Sequence, residues 1–186
     1  MNNKIPVVFV TSVFGDVHNG PAVYANLLWE ALRDAPEIEF HLVTPVIKQS
    51  HPRLHASGQP GDSRKLYAAM QGKAIEIANS LSTKTIVHGN AAHSMSAFTD
   101  YPGPVVLQVN DYDAARAVVD ATTVLRRFGP RRLVSLVWRR HQERAAVRTA
   151  DCVVCNSEFV RAEMIRRYRL EDDLSLIHIS EPTRPY

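Results

Sequence analysis

Lys4-Ile-Pro-Val-Val-Phe-Val-Thr11, Ser12-Val-Phe-Gly-Asp-Val-His-Asn-Gly20 and Pro21-Ala-Val-Tyr-Ala-Asn-Leu-Leu-Trp-Glu-Ala-Leu32 read in turn as a strand, a loop and a helix. Ile5, Val7, Val8, Phe9 and Val10 form a short apolar run, the pattern of a buried strand. Pro21 suits the first position of a helix, where its missing N–H costs nothing. Val23, Tyr24, Leu27, Leu28 and Ala31 then give that helix one apolar face, and Pro36 lies just beyond its end.

The same alternation continues along the chain. Phe40–Pro45 is a second strand signal, and Lys48–Pro60 reads as a loop. Asp62–Leu81 has helical spacing, Thr85–His88 is a short strand, and Ser94–Tyr101 is a brief helix ended by Pro102-Gly-Pro104. Val105–Val109 is another strand. Ala114–Phe128 and Leu133–Arg148 read as helices parted by Gly129-Pro130. Cys152–Asn156 is a last strand, and Ser157 is placed to cap a helix over Ser157–Tyr168. Strands that alternate with helices predict an α/β fold, a Rossmann-like parallel sheet with helices on both faces.

Composition sets the outer bounds. Apolar residues make up 45% and charged residues 22%, which is a globular balance rather than that of a disordered chain. No segment has the 18 or so consecutive apolar residues of a membrane-spanning helix. The apolar run after Lys4 is too short for a signal-peptide core, so the expected location is the cytoplasm. Cys152 and Cys155 stand in C-x-x-C spacing, but residues three apart on a strand face opposite sides. They are expected to be structural thiols, not a redox or metal pair.

In open α/β sheets, ligands bind outside the carboxyl ends of the strands. Four strand ends here carry polar or flexible residues: Gly15, His18, Asn19 and Gly20; His88, Gly89 and Asn90; Asn110, Asp111 and Asp113; Asn156, Ser157 and Glu158. Gly20 lets a ligand approach the backbone, and the N–H groups of the helix that follows attract an anion. The plainer reading of Asn19-Gly20-Pro21 is a strand-to-helix turn. His88 and Asn90 suit hydrogen bonds to a sugar, against the commoner case of a structural histidine. Asp111 suits the orientation or deprotonation of a hydroxyl, or capping of the next helix.

Arg126–Arg148 holds eight arginines, Arg131, Arg132, Arg139 and Arg140 among them, against one acid, Glu143. Such a segment suits anionic lipid headgroups, a phosphorylated acceptor or nucleic acid; the plain reading is a solvated helix face. Nothing resembling a nucleic-acid motif accompanies it, so nucleic acid is not the expected partner.

Taken together, several pieces resemble the family 4 retaining glycosyltransferases. They are Val7–Thr11 with Asn19-Gly-Pro-Ala22, Phe40–Pro45, Thr85-Ile-Val-His-Gly-Asn90, and His141–Ala145 through Ala150-Asp-Cys-Val-Val-Cys-Asn-Ser-Glu-Phe-Val-Arg161. The resemblance covers nearly all of residues 4–170. It implies the N-terminal, acceptor-side half of a GT-B fold, with two Rossmann-like domains facing across a cleft. It implies transfer of a sugar from a nucleotide-sugar donor to a sugar, lipid or small-molecule hydroxyl, with retention, no cofactor and no obligatory metal. Peripheral contact with the inner face of a membrane is compatible with it. Substrate-binding candidates are Asn19, Gly20, His88, Asn90, Asn110, Asp111 and Ser157. Two positions depart from the family: Gln108-Val-Asn110-Asp111 replaces Thr-x-His-Asp, and Asn19-Gly20 replaces a double glycine.

Leu174-Ser-Leu-Ile-His-Ile-Ser-Glu-Pro-Thr-Arg184 resembles the in-frame translation of a transposon-type sequencing adapter. Residues 1–173 are therefore expected to form an incomplete acceptor-side domain, and residues 174–186 a non-native tail. On that reading the strand due after Asp173 is missing and a sheet edge is left open. The donor-binding half lies outside the chain, which is expected to be inactive alone.

Overall fold

Each apolar run expected to be a strand becomes one, and all of them join a single sheet. The computed structural model describes residues 4–15, 20–58, 63–82, 84–90, 98, 101–109, 121–170 and 175–177. The side chains of 63, 64, 121, 122, 124, 128, 139 and 175–177 fall outside that description. The elements in order are β1 (Ile5–Thr11), α1 (Gly20–Leu32), β2 (Ile38–Thr44), β3 (Leu54–Ala56) and α2 (Ser63–Leu81). Then come β4 (Ile86–Asn90), β5 (Val105–Val109), α3 (Ala121–Thr149), β6 (Cys152–Cys155), α4 (Glu158–Tyr168) and β7 (Ser175–Ile177).

The sheet has the order β3-β2-β1-β4-β5-β6-β7, and every neighbouring pair is parallel. This is the expected Rossmann-like α/β fold. Alternation along each strand splits the core in two. Phe9, Phe40 and Leu42 pack against Ala25 and Trp29 of α1. Val8, Val10, Val43, Val87, Val105 and Leu107 pack on the other side with Met70, Ala74, Ile77 and Ala78 of α2, and with Val160 and Met164 of α4. Cys155 belongs to that second layer and is buried, whereas Cys152 is half-buried on the opposite face. Burial pushes the Cys155 thiol up to about 11, so it stays protonated and unreactive.

Three elements differ from the sequence reading. β3 lies inside the segment expected to be loop. It is three residues long and carries His55 in its middle, so it has no apolar run to reveal it. What fixes it is the neighbouring strand: His55 Nε2 sits 2.9 Å from His41 Nδ1 of β2, and Leu54 is buried against Phe40 and Leu42. β7 occupies Ser175–Ile177, within the stretch expected to be a non-native tail, and pairs with β6 from Val153 to Cys155. The edge of β6 is therefore covered; an extended segment beside an unpaired ladder completes its hydrogen bonds whatever its origin. α3 runs from Ala121 to Thr149 with a break at Gly129, whose φ of 76° and ψ of 173° are non-helical. Its second part starts at Pro130, three residues before the predicted Leu133, because proline is preorganised for a first helical turn. The predicted helix over Ser94–Tyr101 falls almost wholly outside the described residues.

Asp151 explains why Ala150-Asp151 precedes β6. Its Oδ2 accepts from the Val105 N–H at 2.8 Å, and its own N–H donates to the Val105 carbonyl at 2.9 Å. The two bonds set the register of β5 against β6. Asp151→Ala leaves the Val105 N–H without its acceptor and should lower the unfolding free energy by about 1–3 kcal/mol. Urea denaturation checks this; an unchanged midpoint would show that water replaces the carboxylate without loss.

Candidate functional site

The sheet reverses its strand order between β1 and β4, which makes the carboxyl ends of those two strands the switch point. The residues there are tied to one another. Thr11, fully buried at the end of β1, donates from its Oγ1 to the Val13 carbonyl at 2.9 Å. The same oxygen accepts from the Val13 N–H at 3.3 Å, which turns the chain sharply off the strand. Gly15 follows with a φ of 86°, a conformation that favours glycine. Asn26 of α1 clamps that glycine: its Oδ1 accepts from the Gly15 N–H at 2.9 Å, and its Nδ2 donates to the Gly15 carbonyl at 2.8 Å.

Asn90 closes the arrangement from β4. Its Nδ2 donates to Thr11 Oγ1 at 3.1 Å and to the Pro21 carbonyl at 3.0 Å. The side chain is 1% exposed. Both amide hydrogens are therefore spent inside the protein, and Asn90 holds the first turn of α1 against the end of β1. Gly20, at the head of α1, is exposed. No described heavy atom lies within 4 Å of the place a Cβ would take, and its φ is not positive. Neither packing nor backbone strain requires a glycine there. What the residue leaves is open backbone at a helix N-terminus.

His88 sits two residues before Asn90 on the same face of β4, with its ring edge-on to Phe9 at 5.1 Å. Its Nε2 is buried and has no partner among the described residues. Burial lowers its pKa from 6.5 to about 4, so the imidazole is neutral at physiological pH. Ser157 caps α4: its Oγ accepts from the Val160 N–H at 3.2 Å. It stands at the same edge of the sheet, two strands from β4, roughly 10 Å away. Asn19, Asn110 and Asp111, like His18 and Asp113, lie outside the described residues. Of the basic set, Arg131, Arg132 and Arg140 are exposed on α3, and the side chain of Arg139 lies outside the described residues. Among the described residues, no group of three His, Cys, Asp or Glu side chains could hold a metal.

The structure thus brings Gly20 and Asn90 together and adds Thr11 and Asn26, which sequence reasoning missed. The only signal for Asn26 was a lone amide interrupting the apolar run from Val23 to Trp29. Thr11 had none, because its role depends on Asn90, 79 residues away.

A parallel sheet with a polar, pinned switch point defines a Rossmann-like domain. The profile of Glycosyltransferase Family 4 matches residues 18–179, and the chain belongs to that family. Among solved structures it is similar to UGT2 of Phytolacca americana, complexed with UDP-2-fluoro-glucose and pterostilbene. The identity is 9% and the TM-score 0.48, over 97% of this chain and 54% of that one. The chain thus spans about half the length of that protein. No curated protein sequence matches it.

The buried imidazole has a pH consequence. His88 has a folded pKa below its unfolded one, so the stability held by its neutral form is complete above pH 6.5. It falls as the pH drops from 6.5 towards 4. The loss over that window should reach about 3 kcal/mol. His88→Gln should flatten the decline, leaving the shallower slope of His41 and His55, whose pKa values burial also lowers. Thermal unfolding measured at several pH values reads both slopes; parallel profiles for the two proteins would contradict the assignment.

Proposed function

We propose that this chain is the acceptor-side, N-terminal half of a two-domain GT-B glycosyltransferase. The complete protein moves a sugar from a nucleotide-sugar donor to a hydroxyl of a sugar, lipid or small-molecule acceptor, with retention. The bond from the anomeric carbon to the leaving phosphate oxygen breaks. A bond from that carbon to the acceptor oxygen forms, and the acceptor proton is taken up by a base. Family membership supports the reading. The observation that carries it is the β1–β4 switch point, where Asn90 fixes the head of α1.

On this reading Gly20 lets the phosphate of a donor held from the facing domain approach the positive end of a 13-residue helix. Asn90 positions that turn rather than touching the ligand. Asp111 orients or deprotonates the acceptor hydroxyl. Asn19, His88, Asn110 and Ser157 supply hydrogen bonds along the same edge. Most donor contacts belong to the second domain, so the isolated chain is inactive.

The test is to sequence the source locus past the codon for Asp173 and to assay the expressed product for sugar transfer from nucleotide sugars. The expected result is an open frame encoding a second Rossmann-like domain, with activity in the long product and none in this chain. A stop codon directly after that position, with micromolar nucleotide binding by this chain, would instead make it a stand-alone binding module.

A further inference from the structure

We propose that the outward face of α3 is a docking surface for an anionic lipid bilayer. The charge of the protein is gathered on this one helix. Arg126–Arg148 holds eight arginines and one acid, leaving fourteen basic and eighteen acidic residues elsewhere in the chain. The rest of the molecule is thus net acidic while this segment is strongly cationic. Its single acid does not offset the outer charge: Glu143 is 2% exposed, on the side of the helix that faces the core with Ala146 and Val147. It lies beside the Tyr168 hydroxyl, whose pKa burial and that carboxylate raise. Arg131, Arg132, Arg144 and Arg148 have no ion pair among the described residues.

The other side of the helix is built differently. Val134, Val137, His141, Arg144 and Arg148 follow one another at intervals of three and four residues, which places them on one seam about 21 Å long. All five are exposed. Val134 is 60% and Val137 61% exposed, so the upper half of the seam offers aliphatic groups to solvent. The lower half opens on a cavity of about 440 Å³ lined by His141, Arg144, Ala145, Arg148 and Thr149. Aliphatic groups next to a cationic recess match the boundary of a bilayer, where acyl chains meet phosphate headgroups. Before the break at Gly129, Leu125 is 48% exposed beside Arg126 and Arg127, which repeats the combination in the first part of the helix.

Charge alone would serve a nucleic acid as well. The apolar half of the seam does not: a polyphosphate backbone gains nothing from two bare valines. Of the aromatic side chains in the segment, Trp138 is stacked on Tyr67 at 6.5 Å and is not offered to a base, and that of Phe128 lies outside the described residues. No helix among the described residues is long and apolar enough to cross a membrane, so the contact is with the surface of the bilayer. The inference does not depend on the sugar-transfer reading, because it rests on α3 alone.

Co-sedimentation of this chain with vesicles tests it. The vesicles are phosphatidylcholine mixed with phosphatidylglycerol, or phosphatidylcholine alone. Binding to the mixed vesicles only, weakened by salt, is expected. Arg144→Gln with Arg148→Gln should weaken it roughly thirtyfold. Val134→Ser with Val137→Ser should weaken it severalfold. The substituted side chains are exposed, and the comparison of the two vesicle types needs no variant. No binding to mixed vesicles, equal binding to both, or affinity untouched by either pair overturns the proposal. Binding to duplex DNA that exceeds vesicle binding, and that the valine substitutions leave unchanged, overturns it in favour of nucleic acid.

Discussion

The amide of Asn90 bridges three parts of the chain that are far apart in sequence. It reaches Thr11 at the end of β1, Pro21 in the first turn of α1, and through its own backbone the end of β4. Parallel pairing of β1 with β4 puts these groups at one edge, where the strand order reverses. Without the bridge, the buried Thr11 hydroxyl and the Pro21 carbonyl would each lose a donor. Asn26 extends the same logic by fixing Gly15. The described part of the switch point is thus held by amide side chains that fix backbone. That suits a site whose ligand is read by main-chain N–H groups.

The switch point and α3 differ in charge. The described part of the switch point is neutral: His88 is buried and uncharged, and the side chains that fix the turn are amide and hydroxyl groups. The cationic surface runs along α3, whose outer seam faces solvent.

Much of the fold was legible because buried parallel strands announce themselves as apolar runs. Val7–Val10, Leu42–Val43 and Val105–Val109 did so, and the helices between them implied a parallel sheet. β3 was not legible. Leu54-His-Ala has no run, and it becomes a strand only through its contacts with β2. β7 was set aside with the tail although Leu176-Ile177 suits an extended segment. Gly20 and Asn90 were legible as candidates because they stand at helix and strand ends, although Asn90 was read as a sugar contact and spends both amide hydrogens inside the protein. Thr11 and Asn26 were hidden because their partners are distant in sequence. The role of Asp151 was hidden as well: the sequence shows the residue, and only the sheet shows the Val105 N–H that it accepts from.

The most direct measurement of whether the switch point is the ligand site is an amide NMR titration of this chain with a nucleoside diphosphate sugar, which detects even millimolar binding. The expected result is chemical-shift change at Thr11, Gly15, Gly20 and Asn90, with β3 and α3 unaffected. Shifts confined to α3, or none at saturating ligand, would contradict a site at the β1–β4 edge.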